Sequence, residues 1–193
     1  MNENELIALL KQGNELAFKN LVEGFRIRVY NTCLGIVQSA PDAEDISQEV
    51  FVEVFRSVQH FKAEAKLSTW IYRIAVTKSL DHLRSKKRKK RFAFMKNLYK
   101  DNSNELRFEK GDFVHPGVEM ENKELASYLF KAIEQLPENQ KAAFTLNKIE
   151  GLSYQEVSEV MKMTLSSVES LMFRAKQNLQ KILSDYYDEM QGA

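Results

Sequence analysis

The stretch at residues 67–91, LSTWIYRIAVTKSLDHLRSKKRKKR, concentrates the residue types that hold a polyanion. Every residue from Lys86 to Arg91 is Lys or Arg, and Trp70, the only tryptophan, opens the segment. Six adjacent cations cannot be buried, so they face water or a polyanion. A tryptophan near a helix start is an ordinary core residue or a platform for a planar ligand, and the segment alone leaves both open. Bond-making chemistry finds no comparable support. Glu44 and Asp45 are adjacent carboxylates on an amphipathic helix, without a basic or metal partner. His60, His82 and His115 lack partners at metal-ligand spacing, and the single Cys33 excludes an internal disulfide framework or a multi-cysteine zinc site. No enzyme activity, cofactor or metal is expected.

The elements that must position these residues are helices. The chain has 193 residues, 44% of them hydrophobic, with only 7 Gly and 3 Pro, and strand-like alternation is hard to find. From residue 16 to 37, Phe18, Leu21, Val22, Phe25, Val29, Cys33 and Ile36 fall near helical spacing. Pro41 suits a helix entry, with Asp42 as its expected N-cap. Ile46, Val50, Val54 and Val58 then recur at i, i+4, leaving Asp45, Gln48, Glu49, Phe51 and Phe55 on the other face. Ser68 is expected to cap the helix that carries Trp70. Tyr72, Val76, Leu80 and Leu83 form its apolar stripe, and Trp70, Arg73, Thr77, Asp81 and Arg84 a mixed one.

Periodicity fades at residues 93–124, a polar segment with Gly111, Pro116 and Gly117 that reads as a linker. Helical signal resumes at Leu125, with Pro137 in the first turn of a helix that Gly151 ends. Ser153 and Glu156 form a capping box. Thr164 is the expected N-cap of a last helix with a core stripe of Val168, Leu171, Met172, Ala175, Leu179 and Ile182. The expected architecture is all-α: two small helical domains at residues 1–92 and 125–193, the second a helix-turn-helix. In that motif the second helix presents its N-terminal residues to base edges in the major groove. Those positions are Ser166, Ser167, Glu169, Ser170, Phe173 and Arg174.

The net charge of +1 hides a segregation. Residues 41–60 carry one Arg against five acids, net −4, and residues 61–91 carry eleven cations against two acids, net +9. Residues 125–193 carry seven cations against nine acids, net −2. An acidic helix beside a basic one suggests two partners, and a polyanion is steered to the basic one. The first fifteen residues lack a basic region and a long apolar core, and no run approaches the roughly 20 apolar residues of a membrane span. A cytoplasmic setting without membrane insertion is expected.

Three segments carry a resemblance. DAEDISQEVFVEVF resembles the polymerase-binding helix of bacterial sigma factors of the extracytoplasmic-function type, within the sigma-70 family. LSTWIYRIAVTKSLDHLR resembles their promoter-melting, minus-ten-reading segment. LPENQKAAFTLNKIEGLSYQEVSEVMKMTLSSVESLMFRAKQNL resembles their minus-thirty-five-reading domain. Three such segments in this order are specific, and they span most of the chain. The resemblance implies that Asp45, Gln48, Glu49, Phe51 and Phe55 dock on the beta-prime clamp of core RNA polymerase. It implies that Phe61, Lys62, Lys66, Ser68, Thr69, Trp70, Arg73, Lys78 and Arg84 hold the opened minus-ten strand, with a flipped-base pocket in the loop before Trp70. It implies that Tyr154, Thr164, Ser166, Ser167, Ser170, Arg174 and Lys176 contact minus-thirty-five duplex. An anti-sigma protein is an implied partner.

The chain departs from the pattern at three places. Thr77 stands where the family often has Asn, and Lys162 where it often has Gly in the helix-turn-helix turn, so that turn either carries a conformational cost or takes a different geometry. Glu169 and Leu171 replace common cations of the recognition helix, leaving Arg174 and Lys176 as its main positive charges. Two other functions fit parts of the pattern. One is a stand-alone dimeric helix-turn-helix regulator that binds palindromic duplex. The other is a helical adaptor that works through the acidic helix.

Overall fold

The structure, a computed structural model, describes residues 2–98 and 123–191, with side chains over residues 2–92 and 128–184. Among the described residues there are helices and no strands. Helix α1 (Glu3–Lys11) opens with a capping box between Asn2 and Glu5. Helix α2 (Glu15–Val37) starts at the Asn14 side chain, and left-handed Gln38 ends it. Helix α3 (Ala40–Ser57) takes Ser39, not Asp42, as its N-cap. Ser39 has the extended backbone a cap requires. Asp42 lies in the first turn, where its carboxylate accepts a hydrogen bond from Lys86 at 2.8 Å.

Helix α4 (Leu67–Leu98) begins one residue before the expected cap at Ser68. The Leu67 N–H donates to Glu3 Oε1 at 3.1 Å, so a side chain of α1 supplies the cap from 64 residues upstream. The helix also runs past residue 92, the expected domain boundary. The rest of the expected linker, residues 99–122, lies outside the described residues.

In the C-terminal half, α5 (Lys123–Glu134) leads to α6 (Glu138–Phe144), with Pro137 at its N-cap. A π turn at Thr145–Ile149 follows, and Gly151 at φ +72° makes the exit. Helix α7 (Tyr154–Met161) carries the expected Ser153–Glu156 capping box. Lys162 closes α7 in the left-handed region, φ 53° and ψ 46°. A residue with a Cβ pays roughly 1–2 kcal/mol there, so the non-glycine turn keeps its usual geometry at a conformational cost. Thr164 caps α8 (Leu165–Gln191) by accepting from the Ser167 N–H at 3.2 Å.

Helices α2, α3 and α4 pack around an N-terminal core of Leu21, Val29, Cys33, Ile46, Val50, Val54, Leu67, Ile71 and Ala75. Burial pushes the Cys33 thiol up to about 11 despite the Ser79 and Ser47 hydroxyls beside it, which pull the other way. The stripe of Tyr72, Val76 and Leu80 has a destination that the sequence leaves open. It turns away from this core and, with Ile36, packs on Ala142, Leu146, Val157, Val160 and Met172 of the C-terminal domain. Helical periodicity reports that a face is buried; it does not report against what. The two domains therefore share a seam, and α4 lies between them.

Candidate nucleic-acid interface and docking face

On α3, the apolar i, i+4 row is buried, and this turns Asp45, Gln48, Glu49 and Phe55 outward. Phe55 is 57% exposed and stands edge-on to Phe18, ring centroids 5.2 Å apart, which fixes the ring at the surface. Phe51 differs from its expected neighbours: it is partly buried and packs on the N-terminal core. Val52 shares the outward face and is 47% exposed. Its spacing from Gln48 and Phe55 was the available signal, obscured by the stronger valine row at 50, 54 and 58. Glu49 lies 3.5 Å from Lys78 of α4, so a residue expected at DNA and one expected at polymerase pair with each other.

The loop and start of α4 place the other expected contacts at different depths. Phe61 is 6% exposed and Thr69 4%. Both lie behind the surface. The Phe61 ring stacks at a 35° tilt on Trp70, centroids 4.9 Å apart, and Trp70 is partly buried against the N-terminal core. The tryptophan is thus seated on the core and Phe61 and remains partly open to solvent. Lys62 and Lys66 are exposed, Ser68 and Arg73 half-buried. Arg84 is exposed and pairs with Asp81 at 3.1 Å. The basic run continues α4, so its cations are arrayed around a helix rather than along a coil. Arg84, Lys87, Arg88 and Arg91, with Asp81 among them, line one open groove. Lys86 bonds Asp42; burial alone would raise that carboxyl, but the Lys86 hydrogen bond and charge, with Ser39 and His82, hold it below the usual range.

The helix-turn-helix presents an open face. Ser166, Ser170 and Phe173 share the outer side of α8, Arg174 and Lys176 flank it, and all are exposed. Phe173 is 62% exposed and Leu165 42%, an apolar element on a face otherwise suited to hydrogen bonding. Thr164 and Ser167 hydroxyls lie 2.7 Å apart at the helix start, and Tyr154 is partly buried at the start of α7.

Sequence reasoning missed the contacts across the seam. The Tyr72 hydroxyl donates to Glu150 Oε2 at 2.8 Å. Burial raises the Tyr72 phenol, as does the Glu150 charge. Burial also raises the Glu150 carboxyl, against the Tyr72 hydrogen bond and the Arg28 charge. Arg73 donates to the Glu159 carbonyl at 2.8 Å, Lys66 lies 3.5 Å from Glu156, and Lys87 lies 2.6 Å from Glu138. No local signal announces these pairs, which join residues 51–90 positions apart in the two domains.

Comparison with known proteins is consistent over most of the chain. Residues 21–89 match the family model for sigma-70 region 2, and residues 126–179 that for sigma-70 region 4. The chain is 32% identical over 181 residues to the ECF RNA polymerase sigma-E factor of Haemophilus influenzae, covering 93% of this chain and 94% of that one. It is 28% identical over 186 residues to the RNA polymerase sigma-H factor of Pseudomonas aeruginosa, covering 94% and 93%. Two solved structures share its fold. CnrH, in complex with the cytosolic domain of CnrY, gives a TM-score of 0.68 at 19% identity, covering 95% of this chain and 97% of that one. The sigma factor RpoE of Bartonella quintana, in complex with the anti-sigma factor NepR, gives 0.69 at 18%, covering 86% and 96%. Among the described residues no helix is long and apolar enough to cross a membrane. With helices in the expected order, an acidic outward face, a cationic helix and a helix-turn-helix, these matches settle the family: the chain belongs to the extracytoplasmic-function sigma factors of the sigma-70 family.

Proposed function

We propose that this sigma factor binds core RNA polymerase and directs promoter-specific initiation with three separate surfaces. Asp45, Gln48, Glu49 and Phe55, joined by Val52, dock on the beta-prime clamp, an acidic rim around an aromatic anchor. Phe51 supports that face from within. Lys62, Lys66, Ser68, Trp70, Arg73 and Arg84 hold the opened minus-ten strand, using a partly exposed aromatic ring for a base and cations for the backbone. Phe61 and Thr69 shape the site from behind, and Lys78 acts through Glu49. Ser166, Ser167, Ser170, Arg174 and Lys176, with Thr164 and Tyr154, read minus-thirty-five duplex in the major groove. Division at residues 92 and 125 assigns the first two tasks to one domain and the third to the other. The protein works in the cytoplasm, without catalysis of its own, and an anti-sigma protein is its regulatory partner.

The observation that carries this reading is the separation of chemistries. The acidic outward face lies on α3, the cations gather on α4, and the serine-rich face lies on α8. Run-off transcription with core polymerase tests it. The wild-type chain is expected to yield a promoter-dependent transcript, and Asp45→Arg with Gln48→Ala to lose core binding while its circular dichroism and melting stay unchanged. Unchanged core affinity removes the docking assignment. A chain that gives no transcript but shifts a palindromic duplex by itself is a stand-alone regulator.

A further inference from the structure

The outer face of α8 carries an acid among its hydroxyls. Ser166, Glu169, Ser170 and Phe173 recur at i, i+3, i+4 and i+7, and all four are exposed. At 3.6 residues per turn they share an arc of about 100°. The buried Val168, Met172 and Ala175 point the other way, into apolar clusters. Glu169 therefore stands with Ser166 and Ser170 on the side of the helix that a helix-turn-helix turns toward base edges.

Nothing in the protein neutralises this carboxylate. The positions three and four residues away are Leu165, Ser166, Met172 and Phe173, so no cation lies within helical reach. Among the described residues Glu169 forms no ion pair, whereas Glu138 pairs with Lys87 and Glu156 with Lys66. Phosphates repel an uncompensated carboxylate. Its favourable partner on a duplex is a hydrogen-bond donor on a base edge.

The chemistry of the base edges narrows that donor to one base. An ionised carboxylate only accepts hydrogen bonds. In the major groove guanine offers N7 and O6, both acceptors, and thymine offers O4 and a methyl group. Adenine offers its N6 amino group beside the N7 acceptor, which the second carboxylate oxygen would face. Cytosine offers its N4 amino group with no acceptor of its own beside it. We propose that Glu169 is a specificity-determining residue: its carboxylate accepts a hydrogen bond from cytosine N4 and so selects cytosine at one position of the minus-thirty-five element. The inference rests on the sigma-factor reading above and adds a base preference to it.

The full chain, with and without core polymerase, is presented with a fully randomised duplex library, and the bound DNA is sequenced. Wild type is expected to recover an upstream motif in which one position prefers cytosine by about fivefold or more over each other base. Glu169→Gln keeps the size and removes the charge. Glutamine donates to adenine N7 and accepts from N6, so the preference at that position alone should change to adenine. Glu169→Ala should leave that position without a preference and the rest of the motif intact. Glu169 is exposed, so circular dichroism is expected to be the same for all three proteins. One motif common to the three proteins overturns the proposal. A position that responds to Glu169 but holds another base in the wild type overturns it as well. So does a Glu169→Gln protein that binds every sequence more tightly by one factor, because the charge then acts only on the backbone; titration of fluorescein-labelled duplexes that differ at that position measures this. A palindromic motif recovered without core polymerase refutes the sigma-factor reading instead, and the exchange of cytosine for adenine within that motif still judges Glu169.

Discussion

Helix α4 has two buried faces, and they are built differently. The face toward its own domain presents Leu67, Ile71 and Ala75, each 2% exposed or less, to an apolar core. The face toward the C-terminal domain presents Tyr72, Val76 and Leu80, and mixes apolar contact with the Tyr72–Glu150 hydrogen bond, the Arg73 bond to a carbonyl and unsatisfied polar atoms. The first face has little to gain from water, its buried unpaired group on α4 being the Ser79 hydroxyl. The second has more, because its several polar groups recover hydration on exposure. One helix thus serves as a permanent structural element on one side and as half of a separable joint on the other.

Truncating each face should expose the difference. Ile71→Ala is expected to lower the unfolding free energy of the N-terminal domain by about 2–5 kcal/mol, measured by urea denaturation, because the cavity cannot be relieved without unfolding. Leu80→Ala on the other face should cost less than about 2 kcal/mol in the same measurement, since the joint can open instead of holding a cavity. Equal losses at the two positions would erase the distinction. A smaller effect concerns the C-terminal domain alone. Lys162→Gly relieves a left-handed residue and is expected to raise that domain's stability by about 1 kcal/mol; a higher melting temperature with unchanged interdomain fluorescence transfer would place the gain outside the joint.

The smallest expected effect is a pH dependence of closure. Burial lifts the Glu150 carboxyl above its ordinary 4.5, so the closed state binds this proton more tightly than the open one. Closure should therefore strengthen as pH falls from neutral through the raised value, and gain nothing more from Glu150 below 4.5. Glu156 is held low by the Ser153 backbone and side chain, and its contribution is lost only at still lower pH. Interdomain fluorescence transfer is expected to rise across this window in the wild-type chain and to stay flat in Glu150→Gln. A flat wild-type profile would assign the joint to apolar contact alone.

Much of this molecule was legible in the sequence because its instructions are local. The Ser153–Glu156 box, the Thr164 cap, the valine row of α3 and the left-handed turn at Lys162 each depend on residues within a few positions. The outward placement of Asp45, Gln48, Glu49 and Phe55 followed from the same periodicity, and misplaced Phe51 because a face edge is ambiguous when a large side chain can lean either way. Illegible features were those that depend on a distant partner. Glu3 replaces Ser68 as the cap of α4, Lys78 turns to Glu49, and the Tyr72 stripe belongs to a neighbour rather than to its own core. Neither propensity nor spacing encodes which distant helix arrives.

The Glu3 contact has a practical edge. It ties the third residue of the chain to the first turn of the helix assigned to strand capture. A fusion tag or an altered start site is therefore a remote mutation of the segment proposed to hold the opened strand. Recombinant preparations that differ only ahead of Glu5 should be compared for strand affinity before their activities are pooled.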